Sequence, residues 1–189
     1  MSLENEKIRK ERWKTIHPIL KRLYHAPKIG LEGWSTPAEL AISTILSAQC
    51  TDARVNRVTK KLFVKYQKPE DYLRVKASEL EQDIHSTGFY KNKTKNIRGF
   101  CEQLLSRFGG KVPDTMEELV TLPGIGRKTA NIVLANAFGK NEGIAVDTHV
   151  FRVSKRLGLA AGKNPVIVER ELMPVVAKKE WATLTDYLI

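Results

Sequence analysis

Apolar residues recur at helical spacing along almost the whole chain. The clearest stripe is Ala38, Ala41, Ile42, Ile45 and Leu46, an i, i+3, i+4, i+7, i+8 pattern. Thr36-Pro37-Ala38-Glu39 opens it with an N-cap residue, a proline at the first helical position and a capping-box glutamate. The pattern predicts a core helix that stops around residues 47–50, and a second, with Val55, Val58 and Leu62 inward, from near Thr51-Asp52. A short helix follows over 70–75, then one capped by Ser78-x-x-Glu81 and ending at Gly88. Residues 91–108 carry Ile97, Phe100, Cys101, Leu104, Leu105 and Phe108 on one face and close on Gly109-Gly110. A basic amphipathic helix over 8–24 and a loop over 26–33 precede all of these. Further helices are expected over 114–121, 129–138 and 148–157, from Pro165 and from Lys178, the last still in progress at Ile189. No strand pattern of useful length, repeat or low-complexity tract interrupts them, so the class is all-α.

Between the helices at 114–121 and 129–138 lies Leu122-Pro123-Gly124-Ile125-Gly126-Arg127-Lys128. A proline and two glycines force a tight turn, and the turn must join two helices as a hairpin. Such a hairpin offers backbone N–H groups at a helix start with no side chain in the way, and the helix dipole favours negative charge there. A nucleic-acid phosphate is the natural ligand. Lys128 stands in the first turn, where the dipole and neighbouring Arg127 disfavour another positive charge. A neutral amine is the state a nucleophile needs; the plainer alternative is a phosphate contact or a solvated lysine.

Charge strengthens the nucleic-acid reading. Lysine and arginine number 32 against 21 aspartates and glutamates, a formal charge of +11 on 189 residues. A hydrophobic content of 42% is ordinary for a globular protein and allows one or two domains with a real core. Cys50 and Cys101 each lie in an apolar helical pattern and read as reduced core residues of an intracellular protein. The charged N-terminus is no signal peptide, and no apolar run approaches membrane-spanning length. The expected location is the cytoplasm, or the nucleus if the cell has one. With four histidines and no ligand spacing, no metal site is expected.

Downstream, Val146-Asp147-Thr148-His149 opens another helix. Asp147 reads as an N-cap on local grounds alone. His149 suggests a catalytic pair with it, but such neighbours diverge at a helix start, so a structural or phosphate-contacting histidine is the better reading.

Together, Ser47-Ala48-Gln49-Cys50-Thr51-Asp52, Gly88-Phe89-Tyr90, the Leu122–Asn131 hairpin and Val146-Asp147-Thr148-His149 resemble the endonuclease III branch of the helix-hairpin-helix DNA glycosylases. The similarity runs from about residue 10 to the end and keeps the spacing between motifs. A glycine pair in a hairpin is common among DNA-binding proteins; the hairpin lysine with an aspartate at this interval is specific.

The resemblance implies two helical lobes, a helical barrel over 34–142 and a second lobe of 1–33 plus 143–189, with a DNA-binding cleft between them. It implies a bifunctional DNA glycosylase and abasic-site lyase acting, as a monomer, on oxidised pyrimidines such as thymine glycol in damaged double-stranded DNA. Lys128 would attack the sugar of a flipped nucleotide, and Asp147 would accept its proton and offset charge on the sugar. Gln49 would fill the void left by the flipped base, against the plainer reading of a helix-end polar residue. Phe89 stands where relatives commonly have leucine and would wedge into the opposite strand; its alternative is a core aromatic. Gly124, Gly126, Arg127 and His149 would contact the DNA backbone. Relatives also hold a four-iron, four-sulfur cluster on four cysteines of a C-terminal loop. Neither Cys50 nor Cys101 matches those ligands, so a cluster is expected only if the parent protein continues beyond Ile189. A monofunctional glycosylase and a non-catalytic DNA-binding module are the alternatives.

Overall fold

The computed structural model describes residues 3–24 and 29–188, and among these every regular element is helical. The chain divides into two compact units, one of residues 30–138 and one of residues 1–29 with 139–189.

The unit spanning 30–138 is built on α2 (Pro37–Ser47), whose sequence leaves little choice of start. Thr36 Oγ1 accepts from the Glu39 amide at 3.2 Å while Glu39 Oε2 accepts from the Thr36 amide at 3.0 Å, closing the capping box read from the sequence. Leu40, Ala41, Ile42, Ile45 and Leu46 are all buried. They pack against α3 (Asp52–Lys65), α6 (Tyr90–Phe108) and α8 (Arg127–Phe138). Each of the leucine and isoleucine side chains contributes about 1.5–3 kcal/mol on leaving water, so α2 is the axis of this core.

Two short helices, α4 (Pro69–Arg74) and α5 (Ala77–Ile84), lie against α6. The Arg98 guanidinium of α6 donates to the carbonyls of Tyr72 and Val75 at 2.7 and 2.8 Å, satisfying groups that the end of α4 would otherwise leave open. The α6 helix closes as its glycines require: Gly109 and Gly110 have φ of 59° and 79°, and the Gly110 amide reaches back to the Leu104 carbonyl.

Some boundaries differ from the pattern. Ser78 caps nothing, because α5 starts one residue before it, after Lys76, with no side-chain cap; a 3₁₀ turn, His85–Thr87, carries the chain on to Gly88. The first hairpin helix, α7, is one turn only, Met116–Leu119, because Thr115 rather than Asp114 supplies the cap. The second, α8, begins two residues early, at Arg127. Cys101 is a core residue whose burial pushes its thiol up to about 12, but Cys50 is not: it lies past the end of α2 and is half-exposed. Its neighbours end the helix, so the apolar stripe no longer dictates an inward side chain there.

In the other unit α1 (Leu3–Leu23) starts before the apolar stripe does, since charged helix formers extend it without needing burial. The expected loop over 26–33 falls partly outside the described residues. Next come α9 (Thr148–Arg156), α10 (Pro165–Leu172), a 3₁₀ turn at Lys178–Glu180 and α11 (Trp181–Leu188). Trp13, Ile144, Val150, Leu172 and Leu184 are among its core residues. Two long-range bonds fasten the ends: Thr185 Oγ1 donates to the Ala145 carbonyl at 2.9 Å, and Arg12 donates to the Gly158 carbonyl at 2.6 Å.

Candidate functional site

The hairpin turn is held from below and open above. Leu122 and Ile125 are buried and the Ile125 amide donates to the Leu122 carbonyl, which pins the turn into the core. Gly124 and Gly126, between and beyond them, are exposed. Gly124 has φ of 78°, and a Cβ there would come within 3.0 Å of Asn96 Cβ and 3.1 Å of Ile45 Cδ1. Only glycine satisfies both the angle and the space. Gly99 answers it from α6: a Cβ on Gly99 would meet the Pro123 ring at 3.2 Å, so this mid-helix glycine lets the hairpin sit close. Helical periodicity gives no sign of that role; a glycine inside an otherwise good helix was the available signal.

The Gly126 carbonyl accepts from the Ala130 amide and so starts the α8 ladder. Arg127 and Lys128 occupy the first two positions of the helix, both exposed, with their amides outside the i→i−4 ladder as at any helix start.

An open concavity of about 380 Å³ adjoins the hairpin. Its lining includes Gln49, Phe89, Asn92, Asn96, Gly124 and Thr129, the residue after Lys128. Three residues picked from distant parts of the sequence, Gln49, Phe89 and Gly124, therefore line one depression. Gln49 and Phe89 share a further property. They are the described non-glycine residues with positive φ, at 52° and 47°, conformations that cost about 1–3 kcal/mol each. Phe89 is 65% exposed, so it is not a core aromatic.

Sequence reasoning missed Lys93, which also lines the concavity. It is buried, and its Nζ donates to the Leu46 carbonyl at 2.7 Å and the Thr87 carbonyl at 2.8 Å. Burial holds this ammonium below the usual lysine range. The signal was present as a lysine within the apolar surroundings of α6, but the helical pattern gives no partner for it.

Asp147 and His149 belong to the other unit. Asp147 is the N-cap of α9: its Oδ1 accepts from the Val150 amide at 2.8 Å. The side chain is half-buried and fixed in place, whereas His149 in the first turn is exposed. Among the described residues no group of three or more His, Cys, Asp and Glu is placed to hold a metal ion. Among the same residues no helix is long and apolar enough to cross a membrane.

Residues 42–178, from α2 past the hairpin and α9, match the model of the HhH-GPD superfamily of base excision DNA repair proteins. The chain belongs to that family. It is 55% identical to endonuclease III of Bacillus subtilis over 82% of its own length and 71% of the relative's. It is 48% identical to endonuclease III of Synechocystis sp. over 96% and 82% of the two chains. A solved structure described as a trapped endonuclease III–DNA covalent intermediate, an estranged-adenine complex, superimposes with a TM-score of 0.90 at 45% identity. That match covers 95% of this chain and 84% of the other.

Proposed function

We propose that this protein is a base-excision-repair DNA glycosylase with abasic-site lyase activity, acting on oxidised pyrimidines such as thymine glycol in duplex DNA. The observation that carries the reading is Lys128 at the start of α8, exposed beside the glycine turn of a hairpin, in a chain of this family. The relative trapped covalently on DNA points to the same chemistry. Its place of work follows the substrate: the cytoplasm around the nucleoid, or the nucleus in a eukaryote.

In this reading the hairpin amides hold a backbone phosphate, and the damaged nucleotide is turned out of the stack. The Lys128 amine attacks C1′ of its sugar as the C1′–N bond to the base breaks and the base leaves with the bonding pair. Asp147 takes the proton released from the amine and offsets positive charge developing on the sugar. The C1′–O4′ bond then breaks with its electron pair leaving on O4′, which takes up the proton held by Asp147, and a protonated imine forms between Nζ and C1′. That imine draws electrons from the C2′–H bond; the proton leaves, and the C3′–O bond breaks with expulsion of the phosphate. Hydrolysis of the imine returns the amine. One nitrogen thus serves as nucleophile and then as electron sink. Gln49 fills the emptied position and Phe89 enters the opposite strand, with Arg127 and His149 on the DNA backbone.

Borohydride trapping on a duplex carrying one thymine glycol tests the proposal. A reduced protein–DNA adduct is expected from the wild-type chain and none from Lys128→Ala. Base release without adduct or strand scission would make it a monofunctional glycosylase. Binding that shows no preference for the lesion, with neither product, would leave a DNA-binding module and overturn the reading.

A further inference from the structure

Gln49 and Phe89 approach the concavity on two separate chain segments, the turn after α2 and the turn before α6. Each adopts the left-handed conformation that a side-chain-bearing residue avoids. Something must hold two such turns at a fixed separation if their side chains are to act on one base pair. Lys93 is placed to do this. Its ammonium, rooted in the first turn of α6, spans the Leu46 carbonyl, three residues before Gln49, and the Thr87 carbonyl, two residues before Phe89.

Both acceptors are backbone groups, and the Leu46 carbonyl is among the last of α2, which the helix ladder leaves open. Bonds from an ammonium to a carbonyl are charge-assisted and short, as observed here at 2.7 and 2.8 Å. A buried charge is costly, so a chain that only needed to fill this space would do better with an apolar side chain. The expense is understandable if the bridge sets geometry. The other groups facing the concavity nearby are neutral: Thr44, Asn92, Asn96 and Gln49.

We infer that Lys93 is a positioning residue that fixes the spacing of the Gln49 and Phe89 turns, and so sets the ability to open a base pair in duplex DNA rather than the chemistry that follows. The inference rests on the proposed glycosylase and lyase function.

Two substrates separate the roles. A single-stranded oligonucleotide with a preformed abasic site needs the Lys128 amine but no wedge, because no base pair has to be opened. A duplex with a thymine glycol needs both. In Lys93→Met, kcat/KM on the duplex should fall by about 10- to 100-fold, the scale of a misplacement of about 1 Å, while borohydride trapping on the single strand stays within about twofold. If that variant does not fold, Lys93→Arg decides. It keeps the charge and donors on a longer, planar head, and the duplex-to-single-strand ratio should still drop several-fold. An unchanged ratio in the variant that folds, or an equal fall on both substrates, would overturn the inference. Failure of the wild-type chain to trap on either substrate would instead count against the proposed function, so the two failures are distinguishable.

Discussion

Asp147 shows how one side chain can answer to two readings. Its Oδ1 caps α9 through the Val150 amide, which accounts for an aspartate at this position without any chemistry. Substitution separates the roles because asparagine caps a helix about as well as aspartate but carries no charge and accepts no proton. Asp147→Asn should leave thermal stability within a few tenths of a kcal/mol while reducing base excision by about 10²-fold or more. Asp147→Ala should lose the cap as well, at about 1 kcal/mol. Paired melting curves and excision rates check this; full activity in Asp147→Asn would reduce the residue to its cap. Phe89 gives the opposite case, a side chain with almost no structural task. Being 65% exposed, it should be replaceable by alanine with a stability change of about 0.5 kcal/mol or less, and with a loss of lesion preference in duplex binding. Equal preference in Phe89→Ala and wild type would remove the wedge from the mechanism.

At the scale of elements, the hairpin's two glycines look alike in sequence and differ in space. Gly124 has positive φ and crowded surroundings, whereas a Cβ on Gly126 meets nothing within 4 Å and its φ is not in the left-handed region. Gly124→Ala should therefore destabilise the protein by about 1–3 kcal/mol. Gly126→Ala should fold normally and weaken duplex binding, since its methyl stands where a phosphate would approach the first amides of α8. Unchanged affinity in Gly126→Ala would show that the phosphate does not come that close. The contrast also marks what a sequence can disclose. The α2 capping box, the α6 stripe and the Gly109-Gly110 stop are local, so a window of ten residues contains their causes. The hairpin and its lysine are local in the same way. The Ser78 cap failed because a start signal two residues out of place looks like a good one. Lys93 and Gly99 stayed invisible because their partners are Leu46, Thr87 and Pro123, at sequence distances that no periodicity spans. Phe89 was legible as a candidate wedge only through the resemblance; its strained backbone, matched by that of Gln49, was not legible at all.

For the molecule as a whole the governing quantity is the net charge of +11. A field of that sign draws any duplex towards the protein, damaged or not, and releases the counterions condensed on the phosphates it displaces. Affinity for undamaged duplex should thus fall linearly on a log–log plot against salt, with a slope of about 0.9 per phosphate contacted. Lesion preference has a different origin. In the proposed reading it comes from uncharged groups that would act on a base pair, Gln49 and Phe89, while the same phosphates would be touched whether or not a lesion is present. The ratio of affinities for damaged and undamaged duplex should therefore stay nearly constant while both affinities drop. Arg127→Gln should lower the slope by about one on both duplexes and leave the ratio alone. Phe89→Ala should do the reverse, lowering the ratio at an unchanged slope. Titrations by fluorescence anisotropy across a tenfold range of salt measure all four quantities. A lesion preference that decays with salt in step with the affinity would place recognition in the phosphate contacts, and the division of labour between the hairpin and the concavity would fall.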